Sequence, residues 1–323
     1  RGAAAALTSD NRGAAAALTS DKDDAQPDAV DEAAARAARR RPASFRAPGP
    51  APLGAQGRPE LAPGPEEDLS YLTGDFRIFQ RRRGHRWSLD DLLTAVVALE
   101  EAERHGAVTR ALDLGCGIGS VLMMVAWGLP AAQVTGIEAQ EVSLGLLGRS
   151  LAYNGLAPRC SVLAGDLREV VAAGRVPAGG YDLVTGTPPY IPLGRGVVSS
   201  KVQRGPCCFE LRGGVEDYLA AAARALAPAG RLVLCAGVDA PEHPERVLAA
   251  APALGLQVTR RLEVEPRAGK PLLLRVYALM HAAAAPGTAL ISERFLVREA
   301  DGTPSPQLQA ARARLGMPPA GGA

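Results

Sequence analysis

The chain has no strong net charge, no membrane-length apolar run and no metal-binding cysteine pattern. Its 36 basic and 34 acidic residues leave a formal charge of only +2 across 323 residues. No field of one sign covers the surface, so contact with nucleic acid would need a local patch. No apolar run approaches the roughly 18 residues of a bilayer span, which points to a soluble protein. The five cysteines, Cys116, Cys160, Cys207, Cys208 and Cys235, fit no zinc spacing, and the adjacent Cys207 and Cys208 are poorly placed to pair with each other. An odd count without a secretory signal favours free thiols in a reducing compartment, with Cys116, Cys160 and Cys235 as small buried side chains. No metal is expected. Acidic residues are also missing between Glu32 and Glu60, where Arg36, Arg39, Arg40, Arg41, Arg46 and Arg58 accumulate.

What is present divides into three parts. Residues 1–65 read as a disordered, low-complexity region: Arg1 to Asp10 repeats at Arg12 to Asp21, and Ala47 to Pro65 is a Pro- and Gly-dense linker. The Ala- and Arg-rich, acid-poor stretch is also similar to an organelle transit peptide for mitochondrion or plastid. Acids from Asp10 to Glu32 precede it, and the cytoplasm is the first expectation. Residues 66–285 read as the folded domain and 286–323 as a C-terminal hairpin and helix, either packed on it or loose. The length allows one large domain or two small ones.

The folded part is organised around Ala111-Leu112-Asp113-Leu114-Gly115-Cys116-Gly117-Ile118-Gly119. An apolar strand ends in an acid, breaks into Gly-x-Gly-x-Gly, and a helix from Ser120 to Leu129 follows. Glycines allow positive φ and close approach of a ligand to the backbone. The helix start offers unpaired N–H groups. The spacing is not the GxGxxG of the dinucleotide fingerprint, which argues against NAD or FAD. A second strand, Ala132 to Ile137, ends at Glu138, where an acid holds a ribose diol in doubly wound folds. A third, Cys160 to Ala164, ends in Gly165-Asp166, and a fourth, Tyr181 to Thr185, in Gly186-Thr187-Pro188-Pro189-Tyr190. Alternating strands and helices imply a parallel α/β sheet with right-handed crossovers. Before the first of these strands, Phe76 to Gln80 alternates as a short strand, Arg81 to Arg86 is a basic run beside Trp87, and Ser88 caps a helix from Leu89 to Ala102. Further strands are expected at Arg231 to Ala236, Leu256 to Val264 and Leu272 to Met280.

The series Asp113-x-Gly115-x-Gly117-x-Gly119, Glu138, Asp166 and x-Pro-Pro-Tyr resembles the class I S-adenosylmethionine-dependent methyltransferases. Pro-Pro-Tyr places it near their amino-methylating branch, whose motif is Asn/Asp-Pro-Pro-Tyr. Within that branch it most resembles the tRNA1(Val) adenine-N6-methyltransferase-like group, which also has an aspartate-bearing helix before the first strand, here Trp87-Ser88-Leu89-Asp90-Asp91. The resemblance covers roughly Leu69 to Met280. It implies a Rossmann-like sheet of seven strands, order 3-2-1-4-5-7-6 with the last antiparallel, and S-adenosyl-L-methionine as cofactor.

The same resemblance implies roles. The turn Gly115 to Gly119 would carry the methionine part of the cofactor, oriented by Asp113, with Asp90 or Asp91 facing it. Glu138 would accept both ribose hydroxyls, Asp166 the adenine amine, and Leu167 would pack on the ring. Thr187 and the Pro188 carbonyl would accept the hydrogens of a planar amino group, Pro189 would stiffen the turn, and Tyr190 would stack on the acceptor. Position 187 departs from the motif, because a threonine hydroxyl is shorter than Asn or Asp and lacks their planar group. Arg86 and Trp87, with Arg195 and Lys201 from the long stretch after Tyr190, would hold the substrate. The first expectation is methylation of adenine N6 in tRNA or another structured RNA by a monomer or weak dimer. A protein glutamine amide is the alternative acceptor, and a catalytically silent cofactor- or RNA-binding module the third reading.

Overall fold

The structure is a computed structural model that describes residues 41–42, 44–190, 207, 209–239 and 244–321. Arg195, Lys201 and most of the N-terminal region lie outside the described residues. Two strands open the fold, β1 (Glu67–Tyr71) and β2 (Arg77–Arg81), paired as an antiparallel hairpin. The alternation at Phe76 to Gln80 marked one of them; its partner had no comparable pattern. Helix α1 (Leu89–His105) follows, its start fixed by the Asp91 carboxylate, which accepts the Ser88 N–H at 2.9 Å.

Then come β3 (Arg110–Leu114), α2 (Ser120–Gly128), β4 (Gln133–Glu138), α3 (Glu141–Asn154), β5 (Cys160–Ala164), α4 (Leu167–Ala172) and β6 (Tyr181–Gly186). The second half comprises α5 (Val215–Ala225), β7 (Leu226–Gly237), α6 (Arg246–Ala250), β8 (Leu256–Glu265), β9 (Leu274–His281), β10 (Ile291–Leu296) and α7 (Pro306–Arg314).

The main sheet runs β5-β4-β3-β6-β7-β9-β8-β10. Numbered from β3, its first seven members stand in the order 3-2-1-4-5-7-6, and β9 is antiparallel to both neighbours. The central strands are buried on both faces, as helices flank the sheet: Ala111, Leu112, Asp113 and Leu114 of β3 are all buried. Strand β8 instead alternates buried and half-buried residues along its length, as a strand with one wetter face does.

Eight strands stand where seven were expected. Strand β10 pairs parallel with β8 from Ile291↔Arg260 to Leu296↔Glu265, so the C-terminal segment is an edge of the sheet. Charge holds it there. Arg260, only 7% exposed, lies on Glu293 of β10 and on Glu100 of α1, at 2.6 and 2.7 Å. Removing either acid would leave a buried cation under-paired, which is the costly case.

The stretch 47–65 also differs from the linker expectation. Leu61 is buried, the Gly54 N–H bonds to the Tyr153 carbonyl at 3.0 Å, and Gly49 sits against the Trp127 indole, too close for any side chain. Pro and Gly density here reflects a tight path over the domain surface. The hairpin packs nearby on α3: Asn154 and Ser150 accept the N–H groups of Arg77 and Phe79 at 2.8 and 3.0 Å, and Phe79 meets Tyr153 edge-on at 6.0 Å.

Candidate active site

Strand order reverses between β3 and β6, and in open α/β sheets ligands bind beyond the carboxyl ends of the strands at such a point. A cleft opens there, lined by the ends of β3, β4, β5 and β6. Its floor is the turn after β3. Gly115, Gly117 and Gly119 take φ of 61°, 56° and 88°, values that a side chain disfavours. A methyl group placed on Gly117 would meet open space, so the turn presents bare backbone to the cleft. Gly119, at the start of α2, has another reason to be glycine: its added carbon would overlap Leu147. Gly119 therefore serves helix packing and does not line the cleft.

The three expected acids end three neighbouring strands, but their carboxylates differ. Glu138 lines the cleft, with one oxygen accepting the Gly117 N–H at 2.9 Å and the other the Gln140 N–H at 2.5 Å. Burial raises its pKa, against the pull of those backbone donors. Each oxygen has a second lone pair, which suits a vicinal diol.

Asp166 caps α4 through the Arg168 N–H and holds the Arg168 guanidinium in a two-point pair at 2.9 and 2.7 Å, which lowers its pKa. Arg168 is nearly half exposed, and such surface pairs are weak, so an incoming polar group can compete for the carboxylate. Leu167 beside it is buried and lines the cleft.

Asp113 lies beneath the turn. It is 2% exposed and absent from the cleft lining, with one oxygen on the Thr185 hydroxyl at 2.8 Å and the other without a hydrogen-bond partner among the described residues. Burial pushes its pKa up to about 7.

The acceptor side is built from the end of β6. Thr187, Pro188, Pro189 and Tyr190 all line the cleft. The Tyr190 hydroxyl donates to Asp90 at 3.2 Å and lies 2.9 Å from the Cys235 sulfur. Asp90 is thereby a strut between α1 and the acceptor turn as well as a cleft residue, and Ser88 bonds its other oxygen. Asp91 is buried and also borders the cleft, and its pKa is raised by burial and then by Asp90.

Arg86 and Trp87, expected to hold substrate, are not in the lining. The Arg86 guanidinium is drawn to Asp68 of β1 at 2.7 Å, and Trp87 packs against the main core. Their neighbour His85 faces the cleft instead. Burial opposes charge on His85, but Cys207, Asp90 and Glu138 outweigh it and the imidazole pKa rises. Sequence reasoning also passed over Gln140, Arg212 and Tyr218, which line the cleft. Tyr218 stands in an ordinary amphipathic helix, and nothing local distinguishes it from a core residue.

Relatives fit this geometry. Residues 92–202 match the family described as Methyltransferase small domain. The chain is 35% identical over 213 residues to the release factor glutamine methyltransferase of Bordetella pertussis, covering 62% of this chain and 73% of that protein. The chain is a class I S-adenosylmethionine-dependent methyltransferase. It transfers a methyl group to nitrogen, and its cofactor is S-adenosyl-L-methionine. Two further methyltransferases match over about half their length. One is the ribosomal protein uL3 glutamine methyltransferase of Bordetella pertussis, 30% identical, covering 57% of this chain and 54% of that protein. The other is the 4-amino-L-phenylalanine/4-methylamino-L-phenylalanine methyltransferase of Streptomyces pristinaespiralis, 31% identical, covering 50% of this chain and 52% of that protein. This methyltransferase fold has no helix among the described residues long and apolar enough to cross a membrane.

Proposed function

We propose that the chain methylates the side-chain amide nitrogen of a glutamine in a protein substrate. The observation that carries this reading is the 35% identity to a release factor glutamine methyltransferase over 73% of its length. A second glutamine methyltransferase among the relatives supports it. Adenine N6, the first expectation, has less behind it. None of the three relatives named above is an RNA methyltransferase, and Arg86 is held by Asp68 and not free beside the cleft.

A glutamine amide and an adenine amine share a planar nitrogen whose lone pair is delocalised, so the same turn serves either. When bound, S-adenosylmethionine supplies an electrophilic methyl on a sulfonium that leaves as a neutral thioether. The chain contributes position more than acid–base power. Thr187 and the Pro188 carbonyl accept the two amide hydrogens, which drives the nitrogen out of conjugation and aims its lone pair. Two prolines keep that carbonyl in place. Tyr190, its hydroxyl tied to Asp90 and placed against Cys235, stacks its ring on the planar group. The amide nitrogen gains a carbon bond as the carbon–sulfur bond breaks, and it gives up one of its two protons to solvent. Glu138 and the backbone at Gly115 and Gly117 would hold the ribose and the backbone-facing side of the cofactor. Asp166 and Leu167, both in the lining, would take the adenine.

Radiolabelled methyl transfer from S-adenosylmethionine decides the acceptor. Purified release factor and ribosomal protein are offered in parallel with unmodified total RNA and with 4-amino-L-phenylalanine. Label in the protein fraction, placed on a glutamine by peptide mass spectrometry, is the expected result. Label only in RNA would return the assignment to adenine, and label only in the free amino acid would make the acceptor a small aromatic amine. Label nowhere, with cofactor binding intact, would favour a silent module.

A further inference from the structure

Tyr218 stands out among the groups that the reaction above does not use. It projects from α5, is 6% exposed, and lines the cleft. Two glycines make room for it. A methyl group on Gly186, the last residue of β6, would sit 2.9 Å from the Tyr218 Cδ1 atom. One on Gly115, the first glycine after β3, would overlap the hydroxyl and lie 3.0 Å from Cζ. The ring therefore lies across the junction of β3 and β6, with its oxygen under the cofactor turn. The hydroxyl end of the ring borders the cleft. Burial, followed by the negative charge of Glu138 and Asp113, disfavours its ionisation, so it stays a neutral hydroxyl in a negative field.

Strand order tells which part of the cofactor arrives there. On the proposed function, the cofactor's adenine would lie at the end of β5 (Asp166) and its ribose at the end of β4 (Glu138), which are neighbours in the sheet. Continuing along the same edge, the methionine end would lie over β3 and meet the acceptor turn at β6. A neutral oxygen in a negative field at that point suits a cation.

We propose that the Tyr218 hydroxyl accepts a hydrogen bond from the ammonium group at the methionine end of the cofactor, setting the sulfonium between the glycine turn and the acceptor. This role does not depend on whether the acceptor is a glutamine or another planar amine. It is tested by isothermal titration of the full chain and its Tyr218→Phe variant with three ligands. S-adenosylhomocysteine has the whole amino-acid end, decarboxylated S-adenosylmethionine keeps the ammonium without the carboxylate, and 5′-methylthioadenosine lacks both. Tyr218→Phe is expected to weaken the first two by about tenfold and to leave the third within about twofold. The ratio of dissociation constants is read only from folded protein, since partial unfolding lowers the stoichiometry and leaves the ratio alone. Gly186→Ala, which presses on the ring edge and keeps the hydroxyl, is a second variant and should shift the same ratio in the same direction. Equal weakening of all three ligands by Tyr218→Phe, or no change in any, overturns the role. Weakening of S-adenosylhomocysteine alone overturns the assignment to the ammonium.

Discussion

The two halves of the cleft are made differently. The donor half is mostly backbone: a turn of three positive-φ glycines, and a Glu138 carboxylate locked by two backbone N–H groups. The acceptor half is mostly side chain: a threonine where the family motif has Asn or Asp, and a tyrosine whose hydroxyl spans Asp90 of α1 and Cys235 of β7. A cofactor shared by many enzymes can be read by main chain, which tolerates sequence drift everywhere except at the glycines. An acceptor must be read by side chains, and these vary with the substrate.

This contrast can be broken at four points. The largest effect is expected from Gly117→Arg. It forces a side chain into the open space over the turn and strains a φ of 56°, and titration should show cofactor affinity falling about a hundredfold or more. Tyr190→Ala should do the reverse, cutting turnover by roughly a hundredfold while the cofactor dissociation constant stays within about twofold. Full turnover in that variant would remove the acceptor role of the ring. Thr187→Ala should lower turnover by roughly tenfold through loss of one hydrogen bond, with Thr187→Asn at least retaining the parent rate. If Thr187→Ala were silent, the Pro188 carbonyl alone would orient the amide.

The smallest effect concerns pH. Asp113 has an ordinary pKa near 4 when unfolded and about 7 when folded. Between those values the folded chain binds more protons than the unfolded one, so stability falls as pH rises. The contribution is complete below about pH 4 and is lost as pH passes 7. Asp91 and Glu138, also raised, act in the same sense. The thermal midpoint of the unliganded protein should decline from pH 5 to pH 8, and less steeply in Asp113→Asn. An equal slope in both would show that the other buried acids carry the effect.

Much of the donor half was legible beforehand. Apolar strands, each ended by an acid or a glycine, are short-range signals, and the main sheet follows the implied order for its first seven strands. The alternation of Leu290 to Arg298 marked the eighth strand but not its place at the edge of the main sheet, because that pairing depends on Arg260 meeting Glu100 and Glu293, partners 160 and 33 residues away. Arg86 misled for a similar reason. A run of arginines resembles a phosphate grip until an acid on a neighbouring strand, Asp68, neutralises one of them.

By itself the sequence determined the glycine turn, the alternation of strand and helix and the prolines that stiffen the acceptor, because those depend on φ, periodicity and ring closure within a few residues. Only the tertiary structure decided that Asp113 is buried beneath the turn while Glu138 faces the cleft, that Asp90 steadies Tyr190, and that Tyr218 reaches the junction of β3 and β6. Those outcomes depend on which strand ends become neighbours and how deep each charge lies, and neither quantity exists until the sheet has closed.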